Sequence, residues 1–116
     1  MILTKACFKL SPGNKKSIKE KMKNTKESRW AKQPRDYPNA GSVFKRPKGY
    51  YVGAMIDELG LKGLSIGDAM ISEKHSGFII NKANAKGQDI IRLIETIRSK
   101  VKRKFGVELE LEQKIL

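Results

Sequence analysis

The C-terminal third of the chain carries two hydrophobic rhythms in succession. Ile90, Ile94, Ile97, Val101 and Phe105 recur at spacings of four, three, four and four, which places them on one face of an α-helix beginning near Lys86. Arg92, Lys100, Lys102 and Arg103 occupy the opposite side, and Gly106 supplies a stop. Val107, Leu109 and Leu111 then alternate with Glu108, Glu110 and Glu112, the period of a strand whose polar side bears three carboxylates. The same period opens the chain, where Ala6, Phe8 and Leu10 oppose Lys5, Cys7 and Lys9 and predict a half-buried strand within residues 2–10.

Between these ends the pattern is broken by turn residues. Ser11-Pro12-Gly13-Asn14 ends the first segment, and Asn14 is placed to cap a helix with Ser17 at its third position. That helix reaches about Ala31, with Ile18 and Met22 as a thin apolar stripe on an otherwise cationic surface. Pro34 and Pro38 keep the next residues extended. Tyr37-Pro38-Asn39-Ala40-Gly41-Ser42 reads as a tight turn feeding a short strand, Val43-Phe44, which Pro47 stops. A second short helix starts at Lys48-Gly49, with Tyr51, Met55 and Leu59 packed on the core and Gly60 at its end. Residues 64–66, 69–72 and 78–81 are short β-compatible runs parted by Gly67-Asp68 and Glu73-Lys74-His75-Ser76-Gly77, which predicts an antiparallel meander. The expected fold is α+β: one small domain with a mainly antiparallel sheet packed by two or three helices.

Composition narrows the function classes. A chain of 116 residues, 39% of them apolar, has room for one modest core. The lone Cys7 rules out an internal disulfide, and no run approaches the roughly 18 apolar residues of a membrane span; a cytoplasmic protein is the expectation. The net charge of +13 invites a nucleic-acid reading, yet residues 1–36 hold 11 Lys or Arg against 3 acids, and residues 37–116 hold 14 against 9. The excess belongs to one Lys-rich helix whose segment has Trp30 as its single aromatic, whereas base readout and strand stacking favour arginine and interleaved aromatics. A solvated helix face accounts for it, and no nucleic-acid partner is expected. No zinc-type Cys/His spacing and no phosphate-cradling glycine fingerprint is present, so neither a metal nor a cofactor site is expected in this chain.

The candidate chemistry centres on Ser42. Lys45 and Arg46 follow within four residues, so an anionic ligand reaching the hydroxyl meets positive charge. By themselves these residues are better described as a Gly-Ser turn with solvated cations. The run Ala40-Gly41-Ser42-Val43-Phe44-Lys45-Arg46-Pro47, however, resembles the serine motif of the UDP-N-acetylmuramate dehydrogenase family, also called UDP-N-acetylenolpyruvoylglucosamine reductase. Three further segments, 58–63, 71–81 and 104–110, are similar to that family's C-terminal part in order and spacing. The resemblance runs from about Lys32 to the end. It implies a substrate-binding domain at 37–116, a basic helix and connector at 11–36, and at 1–10 a remnant of the last strand of a preceding flavin domain. The family uses FAD and NADPH to reduce UDP-N-acetylglucosamine enolpyruvate in peptidoglycan synthesis, and the FAD-binding domain lies outside this chain. By resemblance Ser42 is the proton donor and Glu112 the carboxylate supporting the enolic intermediate. Arg46 and His75 are assigned to the substrate side, near the diphosphate; the competing reading of His75 is a loop histidine making one backbone hydrogen bond.

The motif also departs from the family. Where the family reads Pro-Glu-Val-Arg, this chain has Leu111-Glu112-Gln113-Lys114, so a planar guanidinium fork is replaced by an ammonium, and Glu108 or Glu110 would offer a similar carboxylate after a shift in register. Lys86 stands where a capping hydroxyl is common. Two other functions remain open on sequence: a stand-alone truncated domain that binds the UDP-sugar without turnover, and a basic nucleic-acid-binding module. If the lysine-rich helix is only solvated, replacing Lys15, Lys16, Lys19, Lys23 and Lys26 together with Gln leaves UDP-sugar binding unchanged within about twofold by calorimetry, with the effect confined to pI and solubility. Loss of binding in that variant would make the charge functional.

Overall fold

A computed structural model describes residues 2–116, which divide into two units, one ending at Ala31 and the other spanning Lys32–Leu116. In the first, α1 (Lys15–Lys32) begins as its sequence predicts: the Ser17 N–H donates to Asn14 Oδ1 at 3.0 Å, satisfying one of the amides a helix start leaves open. None of its residues is buried. The strand expected within 2–10 is absent; Ile2, Leu3, Phe8 and Leu10 are all exposed and the segment has no ladder. Alternation specifies a face, but a strand forms only where a neighbour takes up its amides and carbonyls.

The second unit is a four-stranded antiparallel sheet in the order β1-β4-β3-β2, built from β1 (Asn39–Ser42), β2 (Ser65–Ile66), β3 (Ala69–Ile71) and β4 (Phe78–Asn81). The meander is therefore as predicted, with Ile71 opposite Ile79 and Ser65 opposite Met70. β4 lies between two partners and buries Phe78, Ile79 and Ile80 although they alternate in direction, Ile79 within the core and Phe78 against the edge-on ring of His75. α3 (Gly87–Phe105) lies against β2 and β3 and touches α2 (Val52–Glu58). Its face consists of Leu93, Ile94, Ile97 and Val101, each nearly or wholly removed from solvent. They join Val43, Phe44, Met55, Ile56, Ile71, Ile79 and Leu109 in one cluster, and burial of each such side chain contributes about 1.5–3 kcal/mol. The missing hydroxyl at Lys86 is offset from inside the helix: the Asp89 carboxylate accepts the Lys86 N–H at 3.1 Å.

Three local readings are corrected. Asn39–Ser42 is not a turn before the strand but the edge strand β1 itself. Its pairing changes from Asn39 opposite Ile80 to Ser42 opposite Phe78, three steps on β1 against two on β4, so β1 holds one extra residue. Gly41, at φ +82°, absorbs it as a β-bulge, a conformation easy for glycine and costly for other L-residues. The second helix starts at Val52 rather than near Lys48 because the Tyr50 N–H closes a turn on the Pro47 carbonyl at 3.2 Å with Gly49 at φ +80°. Tyr51, predicted as core, is consequently 64% exposed. Residues 107–112 form no strand; they meet the chain after β1 through one isolated bridge, Phe44 with Leu111, and the chain bends at Glu112. The Val43 N–H is already bonded to the Gly77 carbonyl and Pro47 follows closely, which leaves little free edge for a longer ladder. Because nothing lies within 4 Å of a methyl group built on Gly41, the penalty for Gly41→Ala is one of backbone conformation alone. Urea unfolding should show a loss of about 1–2 kcal/mol, and an unchanged midpoint would mean that the bulge relaxes freely.

Candidate functional site

The bulge sits beside an open cleft of about 460 Å3. One wall comes from the end of β1 and the residues after it (Ser42, Phe44, Arg46), another from the start of α2 with Tyr51 before it, and a third from the β3–β4 loop (Lys74, His75, Ser76, Gly77). A bulge redirects the side chains that follow it, and here the exposed Ser42 hydroxyl lines the cleft while the next residue, Val43, turns into the core at 2% exposure.

The β3–β4 loop is tightly tied. Ser72 Oγ, itself buried, accepts the N–H groups of Lys74 and His75 at 3.2 and 3.3 Å, and the Ser72 N–H donates to the Phe78 carbonyl at 2.9 Å. His75 Nδ1 accepts the Gly77 N–H at 3.1 Å, and the ring stands edge-on against Phe78 with centroids 4.8 Å apart. The backbone bond expected of an ordinary loop histidine is therefore present, and the ring also lines the cleft. With Nδ1 accepting, the neutral ring carries its hydrogen on Nε2. The Ser76 hydroxyl, buried, donates to Asp57 of α2, and Lys62 Nζ lies 3.5 Å from the same carboxylate. All three of these side chains line the cleft. Arg46 is fixed from two directions, since its Nε donates to the Tyr50 carbonyl at 3.4 Å and its guanidinium lies 3.8 Å above the Tyr51 ring centroid.

Glu112 is brought alongside Ser42 by the backbone, outside the residues that line the cleft. Its N–H donates to the Val43 carbonyl at 2.9 Å, and Gln113 Nε2 donates to the Gly41 carbonyl at 3.1 Å, so the segment 112–113 brackets Ser42. The three carboxylates of this region now differ. Glu110 bonds Lys45, and Glu108 bonds Lys102. The bond that Lys45 donates to Glu110, reinforced by that carboxylate's charge and then by the field of Glu112, raises the Lys45 ammonium above the ordinary lysine range; this contribution to stability is present below the unfolded value and lost as pH rises through the folded one. Glu108 is held below the ordinary carboxylate range first by its bond from Lys102, so its contribution is present above the unfolded value and lost as pH falls through the folded one. Both groups face solvent, which keeps these contributions small.

Sequence reasoning passed over Asp57, Lys62 and Ser76 as site residues. Lys62 falls in a segment already matched to the family, but nothing in the spacing pairs it with a carboxylate on the preceding helix. Among the described residues no three of His, Cys, Asp and Glu converge to hold a metal ion, and no helix is long and apolar enough to cross a membrane.

Residues 33–116 match the family described as UDP-N-acetylenolpyruvoylglucosamine reductase, C-terminal domain. The chain belongs to this family. A UDP-N-acetylenolpyruvoylglucosamine reductase of Fervidobacterium nodosum is 54% identical over 116 residues, covering 99% of this chain and 38% of that protein. One from Caldanaerobacter subterraneus is 56% identical over 115 residues, with the same two shares. The crystal structure of the reductase (MurB) from Thermus caldophilus aligns with a TM-score of 0.74 at 37% identity, over 91% of this chain and 37% of that one. The chain thus spans about 38% of the length of the curated reductases it matches.

Within this reductase domain the order of partners around Lys45 is open to measurement. Glu110→Gln should lower the Lys45 titration midpoint towards the ordinary lysine value, and Glu112→Gln should lower it by less, as followed by NMR of the lysine side chain. Equal shifts would contradict the proximity of Glu110.

Proposed function

We propose that this chain is the substrate-binding domain of a reductase that converts UDP-N-acetylglucosamine enolpyruvate to UDP-N-acetylmuramate in peptidoglycan synthesis. The observation that carries the reading is the convergence of Ser42, Arg46 and His75 on one cleft, with the backbone of Glu112 hydrogen-bonded beside Ser42. The reduction adds a hydride to one vinyl carbon of the enolpyruvyl ether and a proton to the other, and between these events charge accumulates on the enolate and its carboxylate. Ser42 supplies the proton. Arg46, Lys62 and Lys74 line the same cleft and bring positive charge to it, which favours loss of a proton from a weakly acidic hydroxyl; Lys45 is engaged by Glu110. Glu112 supports the enolic intermediate from the neighbouring segment. Arg46, its plane already fixed by Tyr51 and its Nε by Tyr50, presents its remaining N–H groups to diphosphate oxygens, and His75 offers Nε2–H from the β3–β4 loop.

FAD and NADPH belong, on this reading, to the part of the protein outside this chain. The cleft does not fit a flavin in addition to the substrate. Pockets that bury a drug-sized ligand measure about 300–1,000 Å3, and a cleft of about 460 Å3 that is open on one side is too small to bury a dinucleotide together with a sugar nucleotide. The hydride is accordingly delivered from outside this chain, and the domain's work is to bind, orient and protonate.

The reading is tested with Ser42→Ala in the complete protein. Reaction with NADPH in the absence of substrate does not use the substrate's proton donor and should keep its rate. Turnover of the enolpyruvyl substrate should fall by about 10²- to 10⁴-fold, the usual loss for a positioned acid, and Ser42→Cys should recover part of it. Unchanged turnover in Ser42→Ala would reduce Ser42 to a bulge residue and overturn the assignment.

A further inference from the structure

The least expected surface on the cleft is Tyr51. Its spacing from Met55 places it on the buried face of a helix, yet it precedes α2 in an extended conformation (φ −113°, ψ 119°) and is 64% exposed. It is nevertheless not loose. Its carbonyl accepts the Met55 N–H at 3.1 Å, and the Arg46 guanidinium covers one ring face at 3.8 Å from the centroid while being tied to the neighbouring carbonyl of Tyr50. One face of the ring is thus braced and the ring lines the cleft. An aromatic already held in place loses little freedom when a ligand stacks on it.

The surroundings state what kind of ligand suits that ring. Arg46, Lys62, Lys74 and His75 line the same cleft with Asp57 as the single carboxylate among them, so an anion is favoured and a cationic partner is not. A flat π-system joined to an anion meets both demands, and a nucleoside diphosphate has that composition. We propose that Tyr51, braced by Arg46, is the stacking platform for the nucleobase, with the Arg46 N–H groups reaching the attached phosphates. The proposal rests on the reading of the cleft as a UDP-sugar site and adds to it the group that receives the base. It explains why a large aromatic is exposed where the helical pattern would bury it.

The test uses the 116-residue chain titrated with UDP and, as a probe without a base, with inorganic pyrophosphate, both followed by amide NMR of the β3–β4 loop at low salt. Tyr51→Ala should weaken UDP binding by about 5- to 100-fold, the range for loss of one base–aromatic stack, and weaken pyrophosphate binding, which loses only the brace on Arg46, by clearly less. Tyr51→Trp should keep the UDP affinity and Tyr51→Leu should lose it, which preserves the comparison if the alanine variant does not fold. Unchanged UDP affinity in Tyr51→Ala, equal losses for UDP and pyrophosphate, or no UDP binding by the unmodified chain would each overturn the platform. The Ser42→Ala turnover measurement is independent of these affinities, so the failure of the platform and the failure of the reductase reading are separately visible.

Discussion

A single extra residue in the edge strand governs the geometry of this domain. Between Asn39 and Ser42 the chain advances three positions while β4 advances two, and the difference is taken up at Gly41 in a left-handed conformation. Because successive residues of a strand face opposite sides, adding one inverts every side chain beyond it. With the bulge, Val43 is buried in the core and Ser42 lines the cleft. Core packing and site are therefore coupled: the contacts that bury Val43 and Phe44 also determine where the hydroxyl lies.

The walls around Ser42 are positioned by comparably economical means. A buried serine at the start of the β3–β4 loop ties down two amides and thereby the backbone of His75, and a second buried serine fastens the same loop to α2 through Asp57. Each buried hydroxyl is satisfied, as burial of a polar group requires. The C-terminal segment is tied beside Ser42 with few bonds, two backbone hydrogen bonds about the Phe44–Leu111 bridge and the Gln113 amide on the Gly41 carbonyl. In a non-hydrogen-bonded antiparallel pair the side chains lie close, so the packing of Leu111 on Phe44 helps hold the Glu112 backbone next to Ser42.

The electrostatics follow from this placement more than from net charge. The chain is +13, but the lysine-rich α1 buries none of its residues and the cations that matter are the few gathered at the cleft. Of three glutamates at alternate positions, Glu108 and Glu110 are engaged by Lys102 and Lys45, while Glu112 lies beside the serine segment and contributes to the field at Lys45. Equivalent residues in the sequence have thus become different groups through their neighbours.

The sequence by itself determined the elements whose cause is local. The 90–94–97–101–105 spacing is α3, Gly106 is its left-handed end at φ +68°, Asn14 is the cap of α1, and the short apolar runs from 64 to 81 are the meander. The motif around Ser42 marked the family, because its residue types and order are distinctive. What only the tertiary structure decided depends on a partner distant in sequence. The alternating residues 2–10 form no strand because no ladder receives them, and the alternating residues 107–112 obtain only one bridge. Tyr51 has helical spacing but stands outside the helix, since a glycine turn used up the preceding residues. Asp57 and Ser76, 19 residues apart, meet only when α2 packs beside the β3–β4 loop. Periodicity reports which side of an element is apolar; whether that side finds a neighbour, and which polar groups meet across the cleft, is settled by pairing and packing between segments, about which the local pattern carries no information.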